Sequence, residues 1–141
     1  MRPKKPRKPC VTCGLLVENL RSIYCNNRCQ QEQQYLRYIE NWKAGRVTGN
    51  KTEDLQISEH VRRYLHERCG SRCEQCGWSK VNPTTGKVPL TVNHKDGNWR
   101  RSEEENLEVL CPCCHALTPT YGHLNVGSGR PRRLPHWKTG S

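Results

Sequence analysis

Ten cysteines in 141 residues constrain this chain more than any other feature. They fall as close pairs, Cys10/Cys13, Cys25/Cys29, Cys73/Cys76 and Cys111/Cys114, with Cys69 and Cys113 left over. Four pairs at such spacing predict two four-cysteine metal sites, and zinc is the ion that thiolate tetrads hold. The chain also needs staples. Only 33% of it is hydrophobic, Phe is absent and mean hydropathy is -0.97, so apolar burial alone would leave so short a chain marginal. Disulfides are the rival reading. They require an oxidising compartment, and residues 1 to 9, MRPKKPRKP, lack the apolar core of a secretory signal. No segment approaches a membrane span, so the expectation is a cytoplasmic protein with no membrane partner.

The net charge of +11 is unevenly placed. Arg2, Lys4, Lys5, Arg7 and Lys8 precede the first cysteine, and Arg130, Arg132, Arg133 and Lys138 crowd the other end. The segment between is nearly neutral. Basic arms rich in Pro or Gly cannot bury a core, but they suit the backbone of double-stranded DNA, where they add salt-sensitive and sequence-blind affinity. The alternative is a pair of solubilising tails.

Read in order, the sequence divides into a basic arm (1–9), a four-cysteine finger with a helix (10–46), a linker (47–56), a second unit (57–125) and a basic tail (126–141). Cys10-Val11-Thr12-Cys13-Gly14 is a tight turn able to aim two sulfurs at one ion, and residues 15 to 24 predict a short hairpin. A helix opens near Cys25 to Cys29, capped by Asn26 or Asn27, with Tyr35, Leu36, Ile39 and Trp42 on its apolar face and an end near Gly45. This knuckle, hairpin and helix resemble a treble-clef zinc finger. A second helix is expected from Ser58 to before Gly70, burying Val61, Tyr64 and Leu65. Arg62, Arg63 and Arg68 lie outside, as a solvated face or as phosphate contacts. Cys73-Glu74-Gln75-Cys76-Gly77 repeats the first turn. Val88 to Val92 and Leu107 to Leu110 read as strands, Asp96-Gly97-Asn98 as a turn, and Ser102 to Glu105 as a capping box. Pro112 suits the first turn of a helix carrying Cys114 and His115.

Between the last two cysteine pairs runs LTVNHKDGNWRRSEEENLEVLCPCCH, which sets Asn93, His94, Asn106 and His115 around a short strand pair. Residues 73 to about 121, with C-x2-C, LTVNHKDGN and ENLEVLCPCCHALTPTY, resemble the HNH endonuclease family and its ββα-metal fold, most of all the small free-standing enzymes of bacteriophages. The expected fold is therefore a small zinc-stabilised α+β protein. A treble-clef-like finger precedes a ββα-metal domain with its own four-cysteine site.

The residue types suit phosphodiester hydrolysis independently of the family. A neutral imidazole can take a proton from water near neutral pH, and a divalent cation can offset charge on a phosphate. The resemblance implies His94 as general base, Asn106 as the brace of the loop beside it, and Asn93 and His115 as ligands of one catalytic Mg2+ or Mn2+. It implies two structural Zn2+ ions, on Cys10/Cys13/Cys25/Cys29 and on Cys73/Cys76/Cys111/Cys114, and no small-molecule cofactor. Asn93 departs from the Asp or His commoner before the catalytic His, which predicts weak metal binding. Asp96 is a candidate for the missing charge, although its turn position argues against it. Position 119 is Pro, so a further helix His found in some members is absent. His115 remains an alternative fourth zinc ligand. Trp99 with Arg100 and Arg101 reads as packing or as a nucleic-acid contact. Two rival functions stand: a DNA-binding protein that kept the scaffold without turnover, and an RNA-binding zinc protein. Oligomeric state and target sequence are not fixed by these motifs.

Overall fold

The computed structural model describes residues 1–51 and 56–124. It is a small α+β fold of three helices, α1 (Asn27–Lys43), α2 (Glu59–Cys69) and α3 (Pro112–Ala116), and two strands, β1 (Thr91–His94) and β2 (Leu107–Leu110). The strands pair antiparallel in the register Thr91 with Leu110 through His94 with Leu107. The basic tail expected over 126–141, with Arg130, Arg132 and Arg133, lies outside the described residues. No described helix is long and apolar enough to cross a membrane.

Local chemistry starts and stops the helices. Asn26 Oδ1 accepts from Cys29 N (2.9 Å) to cap α1. Ser58 Oγ accepts from Val61 N (3.2 Å) to cap α2, and Gly70 ends that helix in the left-handed conformation. Tyr35, Ile39 and Trp42 recur on one face of α1 and pack with Ile57, Val61, Leu65, Leu107 and Val109 in one core. Leu36, expected in that stripe, is half exposed, and Tyr38 packs there instead. A smaller cluster joins Cys73, Leu110 and Cys111, with Trp78, Leu90 and Cys114 against it.

Three expected elements differ. Residues 15 to 24 form no hairpin. The end of the basic arm takes the pairing, through a Pro9/Leu16 bridge and a Val17 N to Lys8 O bond (2.9 Å). The first strand begins at Thr91 rather than Val88, because Asn82 organises a turn with Thr84 and Thr85 and Pro89 has no N–H to offer a ladder. No capping box forms at Ser102: the turn Glu104–Asn106 has no side-chain cap, and the Ser102 hydroxyl is used elsewhere.

The helix-face arginines are largely occupied. Arg63 pairs with Glu32 (3.0 Å) and Glu67 (2.8 Å), and Arg68 with Glu74 (2.7 Å).

Candidate active site

Two cysteine tetrads, Cys10/Cys13/Cys25/Cys29 and Cys73/Cys76/Cys111/Cys114, each bring four sulfurs within 4.8 Å of one another and could hold a zinc ion. The local turn is built twice. Cys10 N bonds Leu15 O (2.7 Å) and Gly14 N bonds Cys10 O (2.9 Å); Cys73 N bonds Trp78 O (2.9 Å) and Gly77 N bonds Cys73 O (2.9 Å). Both turns close on a glycine at φ 75°. The donor set fits a cation electrostatically. Burial raises the Cys10 and Cys73 thiols, but hydrogen bonds from neighbouring backbone N–H groups outweigh it and lower each to about 6. The Cys29 thiol is pushed up to about 12, first by its hydrogen bond with Cys25 and then by burial, and Cys114 rises through its hydrogen bonds with Cys76 and Cys111. Thiols that resist ionisation beside an existing thiolate are relieved by a divalent ion.

The second tetrad is joined to the strand pair. Cys111 follows β2 and caps α3, its Sγ accepting from Cys114 N (3.4 Å). Helix α3 packs on both strands and carries His115, whose ring meets Tyr121 edge-on at 5.1 Å. All four thiols of this tetrad lie together without His115.

Strand alternation separates the neighbours Asn93 and His94. Asn93 shares a face with its cross-strand partner Glu108 and with Leu110 of the smaller cluster, while Val92, Leu107 and Val109 face the main core. Asn93 is buried, and its Nδ2 donates to Glu108 Oε1 (2.9 Å). A carboxylate only accepts, so the Asn93 amide is fixed with Oδ1 turned away from Glu108. His94 ends β1, with Nε2 3.0 Å from Ser102 Oγ.

The loop after His94 is closed by Asn106. Its Nδ2 donates to Asp96 Oδ1 (2.8 Å) and Arg101 O (2.6 Å), its Oδ1 accepts from Asp96 N (3.2 Å), and its backbone O accepts from Lys95 N (2.8 Å). Asp96 is spent inside this loop: it also accepts from Asn98 N (2.8 Å) and pairs with Arg101 (2.9 Å). Burial pushes its carboxyl up, yet those bonds hold it below the ordinary value. The carboxylate beside Asn93 is Glu108 instead. Arg100 lies over the Trp99 ring at 4.7 Å.

Three residues here were not singled out from the sequence. Glu108 was foreseeable, since any residue opposite Asn93 in the strand pair must be its neighbour. Ser102 reads from the sequence as a helix cap, and Asn50, whose Oδ1 accepts from the Ser102 hydroxyl (2.7 Å), as part of a linker.

In sequence the chain resembles a phage HNH endonuclease. Among the similar proteins is the H-N-H endonuclease F-TflIV of Escherichia phage T5, 46% identical over 56 residues, which cover 40% of this chain and 24% of the relative. The Zorya protein ZorE of Escherichia coli (strain ATCC 8739) is 34% identical over 89 residues, covering 63% of this chain and 19% of the relative. The chain thus spans a quarter or less of the length of these relatives. No family model and no solved structure matches it.

Proposed function

We propose that the chain is a metal-dependent HNH endonuclease, phage-encoded and working in the host cytoplasm, that hydrolyses phosphodiester bonds of double-stranded DNA. What supports this reading is the order of strand, braced loop, strand and helix, with Asn93 and His94 on β1, Asn106 closing the loop and His115 on α3. In this reading the unit is the family's ββα-metal module.

In this mechanism His94 takes the proton of the attacking water as the new P–O bond forms, the P–O3' bond breaks, and the departing 3'-oxygen takes a proton from solvent, giving a 5'-phosphate and a 3'-hydroxyl. Asn106 keeps the loop closed, so that the ring stays at the rim of the strands. Asn93, through Oδ1, and His115 would hold the divalent ion. Mg2+ or Mn2+ in that place supplies charge stabilisation on the phosphate and the leaving oxygen. Glu108 turns the Asn93 amide towards the ion and adds a negative charge that two neutral ligands lack. The tetrads, as structural zinc sites, hold the scaffold. Arg2, Lys4, Lys5, Arg7 and Lys8, all exposed, and the basic tail reach the DNA backbone.

Asn93 also favours a second reading, a DNA-binding protein on the same scaffold without turnover. The discriminating experiment is incubation with supercoiled plasmid in Mn2+ against an EDTA control. Nicking that disappears in EDTA and falls by about 10² or more in His94→Ala supports the enzyme. Plasmid that is bound but stays supercoiled supports the second reading.

A further inference from the structure

The hydrogen bonds behind His94 lead away from the strands and into the segment that follows α1. Ser102 is fully buried. Its Oγ lies 2.7 Å from Asn50 Oδ1, 3.0 Å from His94 Nε2 and 3.4 Å from Trp99 O. Asn50 Nδ2 donates to that same Trp99 carbonyl at 3.4 Å. These contacts determine where each proton sits. A backbone carbonyl only accepts, so Trp99 O requires the Nδ2 side of the Asn50 amide, and Oδ1 must face Ser102. An amide oxygen only accepts as well, so the single hydroxyl proton of Ser102 goes to Asn50. Ser102 then meets the imidazole with a lone pair, and Nε2 must supply the N–H.

We infer that Asn50 and Ser102 are positioning residues that hold His94 as the Nε2–H tautomer, with the ring lone pair on Nδ1. The assignment of a catalytic consequence rests on the proposed role of His94 as base. A base in the wrong tautomer presents a proton where it should accept one, and the rate falls although the fold is intact.

The support for Asn50 is itself built. Trp42 Nε1 on α1 donates to Ser102 O (2.7 Å). Gly49 sits against that indole at φ 82°, where a Cβ would come 2.6 Å from Trp42 Nε1 and 3.1 Å from Ser102 O. Ser58 N donates to Gly49 O (2.8 Å), and Asn50 bridges to Ile57. The ring orientation of His94 is therefore set by residues on both sides of the connection between α1 and α2.

The test is long-range 15N–1H NMR of the full-length chain, with the His94 ring signals identified by their loss in His94→Gln. The unaltered protein should show the Nε2–H tautomer. In Asn50→Ala the Ser102 proton loses its near acceptor and keeps only Trp99 O at 3.4 Å, so it can turn to Nε2 and the Nδ1–H form should appear; in Ser102→Ala the ring signals should broaden or shift. Backbone amide fingerprints verify that each variant is folded. In plasmid nicking both variants should lose about tenfold in kcat with KM within about twofold. His94 found as Nδ1–H in the unaltered chain, or a ring unchanged in folded Asn50→Ala, overturns the inference. Nicking retained by His94→Ala would instead remove the base assignment and leave the tautomer result to stand by itself.

Discussion

The two tetrads use the same ligands and the same glycine-closed turn, yet they are attached to the rest of the molecule in different ways. In the second, the turn is sewn to β2: Glu74 N donates to Val109 O (2.9 Å), Glu74 Oε2 accepts from Val109 N (2.6 Å), and Cys111 joins the strand to α3. Two of its sulfur-bearing residues, Cys73 and Cys111, are core members. In the first, the turn's hydrogen bonds among the described residues stay close by in sequence, through Thr12 Oγ1 to Cys29 O (2.7 Å) and Val11 N to Ile23 O (3.1 Å). Around it Val11, Leu15, Leu16, Leu20 and Ile23 are exposed. Its connection to the core is made further along α1, at Tyr35, Ile39 and Trp42. A metal site shared between two elements supports both, whereas one confined to a terminal segment supports that segment.

The sharpest way to break this comparison is to remove one thiol from each tetrad. Cys111→Ser should halve the zinc content and unfold the strands with α3, because the free energy of a structural zinc site, on the order of 10 kcal/mol, is folding free energy. Cys29→Ser should halve zinc equally but leave β1, β2 and α2 folded, the loss being confined to residues before Tyr35. Metal analysis with amide hydrogen exchange checks both. Equal global unfolding by the two variants would mean that the first site supports the core after all.

A smaller effect is expected where the two regions meet. Trp42 packs in the main core, stacks edge-on with Tyr64 at 5.6 Å and donates to Ser102 O. Trp42→Ala should cost about 3 to 5 kcal/mol, as large aromatic truncations do. Trp42→Phe should recover most of the stability while leaving the buried Ser102 carbonyl without its donor, at about 1 to 3 kcal/mol. Denaturant melts of the three proteins separate packing from the hydrogen bond. If Phe restores everything, the indole N–H contributes nothing to the junction.

Much of this was legible before any coordinates. Cysteine spacing fixes ligand sets regardless of context, so both tetrads could be read from pairs alone. Capping residues act within one turn, which is why Asn26, Ser58 and Gly70 mark helix ends correctly. What escaped reading was long-range. Ser102 followed by Glu105 has the pattern of a helix cap, but its hydroxyl lies instead between His94 and Asn50, the latter 52 residues away in sequence. The same limit applies to Leu36, where helical period alone could not tell that α2, through His60, would cover the Tyr38 flank of the stripe. Polar Gly-containing sequence around Gly49 reads as a linker because nothing local reveals the indole packed against it.

The smallest effect concerns the polar tie between the helices. Arg63 sits over the Tyr35 ring at 3.8 Å and pairs with Glu67, while Tyr35 Oη donates to Glu67 Oε2 (2.9 Å). Burial first, and then Glu67, push the Tyr35 hydroxyl up to about 12, so it stays a donor throughout the neutral range. The hydrogen bonds from Arg63 and Tyr35 lower the Glu67 carboxyl below its ordinary 4.5. A carboxyl depressed in the folded state adds stability above the unfolded value, and that contribution is lost as pH falls through the folded value. Glu67→Gln should therefore matter more at pH 7 than at pH 3. Glu67 is about half exposed, so solvent screening limits the difference to within about 0.5 kcal/mol. Urea melts at the two pH values measure it. A penalty above about 2 kcal/mol at pH 7 would mean that the two helices are held together by this pair more than by Tyr35, Ile39 and Val61, and that the attachment of the first region is electrostatic where the second is built into β2 and α3 through Cys111.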